Sequence, residues 1–512
     1  MTARLLRRIL TAIATFSLVL TGATLSPAKA ETTFYPAPNK VVNESTVGIQ
    51  MFLYPWTSIA SECTNVLGPS GIDWVQISPP QEHIRGDQWW IHYQPVSYKL
   101  ESRLGTRAEF SAMVQACNKA GVMIIADAVI NHMANSGGTG WAGSDFSKYE
   151  YPGLYGEDDF HGTMSMDEPR YCDSNIENYD SIWETTSCML GGLPDLATEK
   201  PSVRAKIADY LNDLISLGVA GFRVDAAKHF GAADLKAVVD LLDPINGRQP
   251  IIMSEVIGGN GQNEPFTEFG YAWAWDMPNI LVSNLNQNTL AFAKTDFWTV
   301  GFNASNKTIT MVSNHDTEHH GPSSLAYWET QKYQLAHVFM LSAKFGIPQI
   351  YSGYSFSDER LGPNTDPNTQ KVVQAKCASS TRPVTIIREG LYNCIQRWRT
   401  TSGMIAWRDV AGSAPETKVG YTKHADGAKI LKFNRGANTF IAMNSTQKSR
   451  KMGILTNLPA GTYCDLLTGG RGAVTSSTKC AGTKVVVDAR GKAVVTIPAM
   501  LGIALTTSHK LP

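Results

Sequence analysis

GVAGFRVDAAKH, residues 218–229, decides the reading of this chain: an apolar run ends in an acid, Asp225, and passes directly into a polar segment. Two further stretches share that construction, PIIMSEVI at 250–257 with Glu255 and TITMVSNHD at 308–316 with Asp316. Continuously apolar runs this short read as strands buried on both faces, the mark of a parallel sheet. A sheet that delivers all three acids to one rim would build a carboxylate cluster able to cleave glycosidic bonds.

The same grammar extends to both sides. Residues 47–54, 72–78 and 122–129 read as buried strands, and 107–120 places Phe110, Met113, Val114 and Cys117 at helical spacing before Gly121 ends the helix. Helix followed by strand recurs at 203–217 with 219–224, and at 232–242 with 251–256. Repeated βα units imply a parallel sheet, open and doubly wound or closed into a barrel. Residues 132–196 break the rhythm, being rich in Gly, Asp, Ser, Tyr and Asn with two cysteines. A loop that long is functional or a small domain, and it leaves from the end of the third strand, where a barrel keeps its active site. From Lys418 onward, alternating stretches such as 429–433, 439–443 and 484–488 between Gly- and Asn-rich turns read as an antiparallel β domain.

Arg4, Arg7 and Arg8, the apolar residues 9–20 and Ala28-Lys29-Ala30 have the order of a signal peptide, so residues 1–30 are expected to be removed on export. The apolar run is shorter than the roughly 20 residues a membrane span needs, and a soluble mature protein is expected. A chain of 512 residues exceeds one ordinary core. Its 45 basic and 45 acidic residues cancel, which argues against nucleic acid or anionic membranes as partners and for a neutral substrate. Eight cysteines in an exported chain suggest disulfides. Spacing suggests neighbouring pairs, Cys63 with Cys117, Cys172 with Cys188, Cys377 with Cys394 and Cys464 with Cys480, but roughly a hundred pairings are open. A zinc site is the rival use, and no CxxC pair supports it.

A single acid at a strand end is more often a helix cap or ion-pair partner than a catalyst. Three at the ends of three strands shift those odds. Retaining hydrolysis needs a nucleophilic carboxylate and a carboxylic acid roughly 5–5.5 Å apart. Arg223, two residues before Asp225 and on the same strand face, would keep Asp225 ionised. Glu255, among Ile251, Ile252, Val256 and Ile257, would have its pKa raised towards that of a working acid. GDQWWIHYQPVSYKL, residues 86–100, follows the end of the second strand, so Trp89, Trp90 and Tyr93 are expected as exposed rim aromatics that stack on sugar faces, with Gln94 beside them.

At these residues the chain resembles the alpha-amylases of glycoside hydrolase family 13, in the subgroup shared by actinomycete and animal enzymes. DAVINH (127–132), GFRVDAAKH (221–229), SEVI (254–257) and VSNHD (312–316) look like the four signature regions of that family, in order. The resemblance implies a (β/α)8 barrel at 31–131 and 197–409, an inserted domain at 132–196 after the third strand, and a C-terminal antiparallel β-sandwich at 410–512. It implies Asp225 as nucleophile, Glu255 as general acid then base, and Asp316 as the acid that distorts the sugar. His132, Arg223 and His315 would line the subsite next to the cut, Trp89, Trp90, Tyr93 and Gln94 the glycone side, and Lys228 and His229 the aglycone side. The four neighbouring cysteine pairs also agree with the family's disulfides.

Calcium enters through the resemblance alone: Asn131, Asp195 and the carbonyls of His229 and Thr186 match the family's structural site, an oxygen set suited to a hard cation. Animal relatives bind an activating chloride through two arginines and an asparagine. Arg223 and Asn314 match two of these, but Gln349 stands where the second arginine would be, so no chloride dependence is expected. The run Thr317 to Gly321 also departs from the usual pattern and leaves the aglycone loop open. The resulting expectation is a secreted, monomeric, extracellular endo-hydrolase of α-1,4 bonds in starch and related α-glucans, with soluble starch preferred because no starch-binding module is visible. The alternatives are an exo-acting maltooligosaccharide former or transglycosylase on the same scaffold, a silent glucan-binding protein, and a secreted inhibitor or storage protein.

Overall fold

Eight strands, Gly48–Met51 (β1), Trp74–Ile77 (β2), Met123–Ala128 (β3), Gly221–Val224 (β4), Ile251–Ser254 (β5), Tyr271–Trp273 (β6), Thr308–Met311 (β7) and Ile347–Ser352 (β8), form a closed parallel barrel. Each strand pairs with its neighbours in sequence, and Gly48 of β1 pairs with both Trp74 of β2 and Gln349 of β8, so closure replaces the open sheet as the answer. The computed structural model describes residues 34–258, 262–294, 303–321, 324–379, 381–383, 388–423 and 429–512. The expected signal peptide lies outside the described residues.

Helices surround the barrel: Trp56–Glu62 (α1), Arg107–Lys119 (α2), Pro201–Ser216 (α3), Ala232–Val239 (α4), Asp276–Asn286 (α5), Thr330–Ser342 (α6) and Arg399–Ala411 (α7). Helix α2 starts where Thr106 and Glu109 cap each other's backbone, and it stops before Gly121, which has left-handed backbone at φ 76. Helix α3 begins at Pro201, earlier than its apolar spacing suggests, because a proline in the first turn has no N–H to leave unpaired. Two glycines are required by close approach. A Cβ on Gly48 would lie 2.0 Å from the Trp74 ring, and one on Gly221 would lie 2.2 Å from the Ile251 carbonyl oxygen.

The lower barrel is filled by Trp74, Met123, Ile125, Met253, Ile309 and Ile347, which leaves the polar chemistry to the opposite rim. Between β3 and β4 the chain makes only short elements, including the strand pair Gly138–Thr139 with Asp145–Phe146 and the helical turn Ile182–Thr185. After α7 comes an antiparallel sheet of Glu416–Lys423, Lys429–Arg435, Thr439–Asn444 and Leu501–Thr506. Its Phe440 and Ile503 share a core with Ile454, Val485 and Val495 of the facing strand pairs, which makes a sandwich. Disulfides join Cys63 to Cys117, Cys172 to Cys188, Cys377 to Cys394 and Cys464 to Cys480. No described cysteine is left for zinc.

Candidate active site

Asp225 and Glu255 each lie one residue past the end of a strand, β4 and β5, and these strands are neighbours. Both acids therefore leave the barrel at one edge. Asp316 differs from the expected strand end: it sits in the helical turn His315–His319, because the Asn314 side chain accepts the Thr317 N–H and turns the backbone before the acid is reached.

Arg223 organises the pair. Its Nη1 is 2.6 Å from Asp225 Oδ1 and its Nη2 is 2.6 Å from Glu255 Oε1, while Nη1 also meets Asp127 Oδ1 at 2.7 Å. The guanidinium is 3% exposed, so these contacts are poorly screened. The environment of Glu255 corrects the sequence reading in two respects. Arg223 touches it directly, and Ile257 is exposed, so the barrel wall rather than that residue encloses it. Burial, reinforced by the charges of Asp225 and Asp316, still outweighs Arg223 and raises the Glu255 pKa to about 8.

The sequence reading missed two residues. Asp127, fully buried at the end of β3, accepts the Tyr93 hydroxyl at 2.9 Å and the Arg223 guanidinium, and burial lifts its pKa to about 7. It heads the DAVINH motif, so a signal for it existed. Ala226 adopts left-handed backbone at φ 49 and donates its N–H to Glu255 Oε2 at 2.8 Å. No sequence signal marks this strain, since alanine rarely takes that conformation.

His315 is fixed from three sides. It stacks on Tyr93 at 5.2 Å and on Phe52 at 4.6 Å, and Gln50 Nε2 lies 2.9 Å from its Nδ1. Donation by Gln50 puts the ring proton on Nε2, which faces Asp316 Oδ2 at 3.4 Å. Burial raises the pKa of Asp316 and holds His315 well below its ordinary value. His132, also buried, meets the Tyr93 carbonyl through Nε2 at 3.0 Å.

The aromatic stretch is less open than expected. Trp89 is buried, and Trp90, Tyr93 and Gln94 are half-buried; the Trp89 ring packs edge-on against Phe52 and His315 and tilted against His319. Lys228 and His229 are half-buried beside the segment between β3 and β4, where His229 Nδ1 bonds the Thr185 carbonyl at 3.1 Å. Within the run Thr317 to Gly321, His319 and His320 pack against the tryptophan stretch, 5.1 and 5.6 Å from Trp89.

Asn131 and Asp195 come together in the interior, with Asn131 Nδ2 donating to Asp195 Oδ1 at 3.0 Å. Asp195 Oδ2 meets His161 Nδ1 at 2.6 Å, and the Thr186 carbonyl accepts from Arg170. A buried carboxylate, an amide oxygen and backbone carbonyls are the donor types that a calcium ion takes. Gln349, in the position that the resemblance gives to an anion-binding arginine, is buried and uncharged. Its Oε1 accepts from Trp273 Nε1 at 2.6 Å and its Nε2 donates to Gln76 at 2.5 Å.

A (β/α)8 barrel that brings a buried acid and an arginine-bound carboxylate to one rim carries the pair of carboxyl groups that glycoside hydrolysis uses. Comparison with known proteins narrows that class. Residues 72–253 match the alpha amylase catalytic domain, and residues 421–508 match the alpha amylase C-terminal all-beta domain. The chain is 38% identical over 480 residues to an alpha-amylase of Streptomyces violaceus, covering 92% of this chain and 75% of that protein. It is 34% identical to pancreatic alpha-amylase 2a5 of Mus musculus, covering 87% and 90%. The crystal structure of alpha-amylase I from Eisenia fetida superimposes with a TM-score of 0.81 at 29% identity, covering 93% of this chain and 99% of that one. The chain belongs to the alpha-amylase family.

Proposed function

We propose that this protein is an extracellular alpha-amylase that hydrolyses internal α-1,4-glucosidic bonds of starch and related α-glucans with retention of the anomeric configuration. The observation that carries this reading is the shared arginine, which binds Asp225 and Glu255 in one pocket while burial keeps the Glu255 proton in place near neutral pH. Asp225 attacks the anomeric carbon as Glu255 passes its proton to the departing glucosidic oxygen, and a covalent glucosyl ester of Asp225 results. Glu255, now ionised, takes a proton from water, and the hydroxide released cleaves the ester and restores both acids. Asp316 and His315 hold the distorted ring. His132 flanks it, with Trp89, Trp90, Tyr93 and Gln94 on the glycone side and Lys228 and His229 on the aglycone side.

In this reading Asn131, Asp195 and the carbonyls of Thr186 and His229 hold a structural calcium ion that fastens the segment between β3 and β4 to the barrel. With Gln349 where the second arginine of an anion site would stand, the reading includes no chloride dependence. The enzyme acts as a monomer on a neutral polymer. Product analysis on amylose and on an end-blocked glucan tests the assignment. Wild type should give mixed maltooligosaccharides from both substrates and Asp225→Asn none. A single product size from free ends only would favour an exo-acting enzyme instead.

A further inference from the structure

At the rim opposite the acids, a cavity of about 210 Å³ opens beneath the starts of β3 to β7, bounded by residues 38–42 and by the segment 245–250 that leads into β5. Val42, Met123, Ala220, Ile251 and Phe269 give it an apolar lining. Its volume falls below the roughly 300 Å³ at which sites for drug-sized molecules begin, so its occupant is small. The walls are tied in place. The Tyr271 hydroxyl donates to the Val42 carbonyl at 2.9 Å, Asn246 Nδ2 to the Ala37 carbonyl at 3.1 Å, and Gln249 Nε2 to the Phe269 carbonyl at 2.7 Å. The cavity is therefore formed before anything enters it, and little ordering opposes binding.

Its charges are all of one sign. Lys40, Arg248 and Lys307 line it and no acid does; Glu44, whose charge acts on the Tyr271 hydroxyl, stands outside the lining. Lys40 is neutralised by Asp73 at 3.0 Å. Arg248 instead binds the amide oxygen of Asn39, and Lys307 lies over the Tyr271 ring, 5.8 Å from its centre. Among the described residues neither of these two cations has a carboxylate partner. In a chain of zero net charge, two unpaired cations at an apolar cavity complement an anion that carries an apolar body. An inorganic anion would leave the apolar lining unused, and a neutral sugar would leave both charges unmet.

We propose that this cavity is a binding site for a small amphipathic carboxylate, its apolar body against Val42, Ile251 and Phe269 and its carboxylate held by Lys307 and Arg248. The site lies at the starts of the strands whose far ends lead to the catalytic acids, so its ligand does not compete with substrate.

The test titrates the whole protein at neutral pH, by calorimetry, with naphthoate, with octanoate and with uncharged naphthalenemethanol. At least one carboxylate should bind saturably, one molecule per chain, and raise Tm as its concentration rises. The tighter of the two shows whether the natural ligand is aromatic or aliphatic. Naphthalenemethanol should bind at least about tenfold more weakly than naphthoate, the worth of one charge-assisted hydrogen bond. Lys307→Gln and Arg248→Gln, both changes at partly or fully exposed positions, should each weaken carboxylate binding roughly three- to tenfold. The KM for soluble starch should not change when the carboxylate is present. Absence of saturable binding by both carboxylates would overturn the proposal, as would equal affinity for the alcohol or indifference to both substitutions. A competitive rise in the KM for starch would place the ligand in the catalytic pocket and overturn it too.

Discussion

Arg223 Nη2 stands 2.6 Å from Glu255 Oε1, so the arginine that the sequence assigns to Asp225 serves both acids. Lysine could not copy this fork, since one ammonium cannot present two planar donor edges to two carboxylates. The contact also limits how far burial can raise the Glu255 pKa.

Removing that charge should therefore move the alkaline limb of the rate profile upward. In Arg223→Gln, kcat on soluble starch is expected to fall at least about 100-fold, and the residual activity should persist to higher pH than in wild type. A pH–rate profile with an unmoved or lowered alkaline limb would rule the shared-arginine account out.

Glu255→Gln should lose roughly 10²- to 10⁴-fold in kcat, the usual worth of a positioned acid and base. Its stability should respond oppositely. From the ordinary value of 4.5 up to about 8 the folded chain keeps a proton that the unfolded chain has released, so wild-type stability is lost as pH rises through that window. The glutamine variant lacks this dependence. Calorimetry should find its Tm rising relative to wild type between about pH 5 and pH 8, and a constant difference would contradict the assignment.

Ala226 offers a test of the backbone. Ala226→Gly should keep activity and raise stability by up to about 1 kcal/mol, because glycine accepts a positive φ without strain. Ala226→Val should fold poorly or lose most activity, as its branched Cβ opposes the turn that aims the N–H at Glu255. Equal melting temperatures and rates for both variants would count against a role for this turn.

Chelation tests the proposed calcium site. Excess chelator should lower Tm by several degrees and abolish activity, with near-UV dichroism changing first in the segment between β3 and β4, and calcium should restore all three. Asp195→Asn should lower Tm without chelator. Unchanged melting in chelator would remove calcium from the account.

Much of the barrel was legible because its strands are short and apolar on both faces while its helices keep a 3.6-residue period, as residues 107–120 show against the observed Arg107–Lys119. The strand ends are shorter than the apolar runs suggest: the expected 251–256 stops at Ser254, and Glu255 keeps only its N–H bond to Val224 in the ladder while its side chain turns to Arg223. The acids could be named from their motifs, but their surroundings could not. Asp127 comes to Arg223 only through the pairing of β3 with β4, and the burial of Trp89 depends on Phe52 just past β1 and His319 from beyond β7. The Ala226 turn is set by backbone geometry that alanine does not announce.

The most direct measurement is proton NMR of the anomer released in the first turnovers on a linear maltooligosaccharide, before mutarotation mixes the signals. Attack by Asp225 followed by water predicts the α-anomer first. The β-anomer appearing first would contradict the double displacement and the roles given to Asp225 and Glu255.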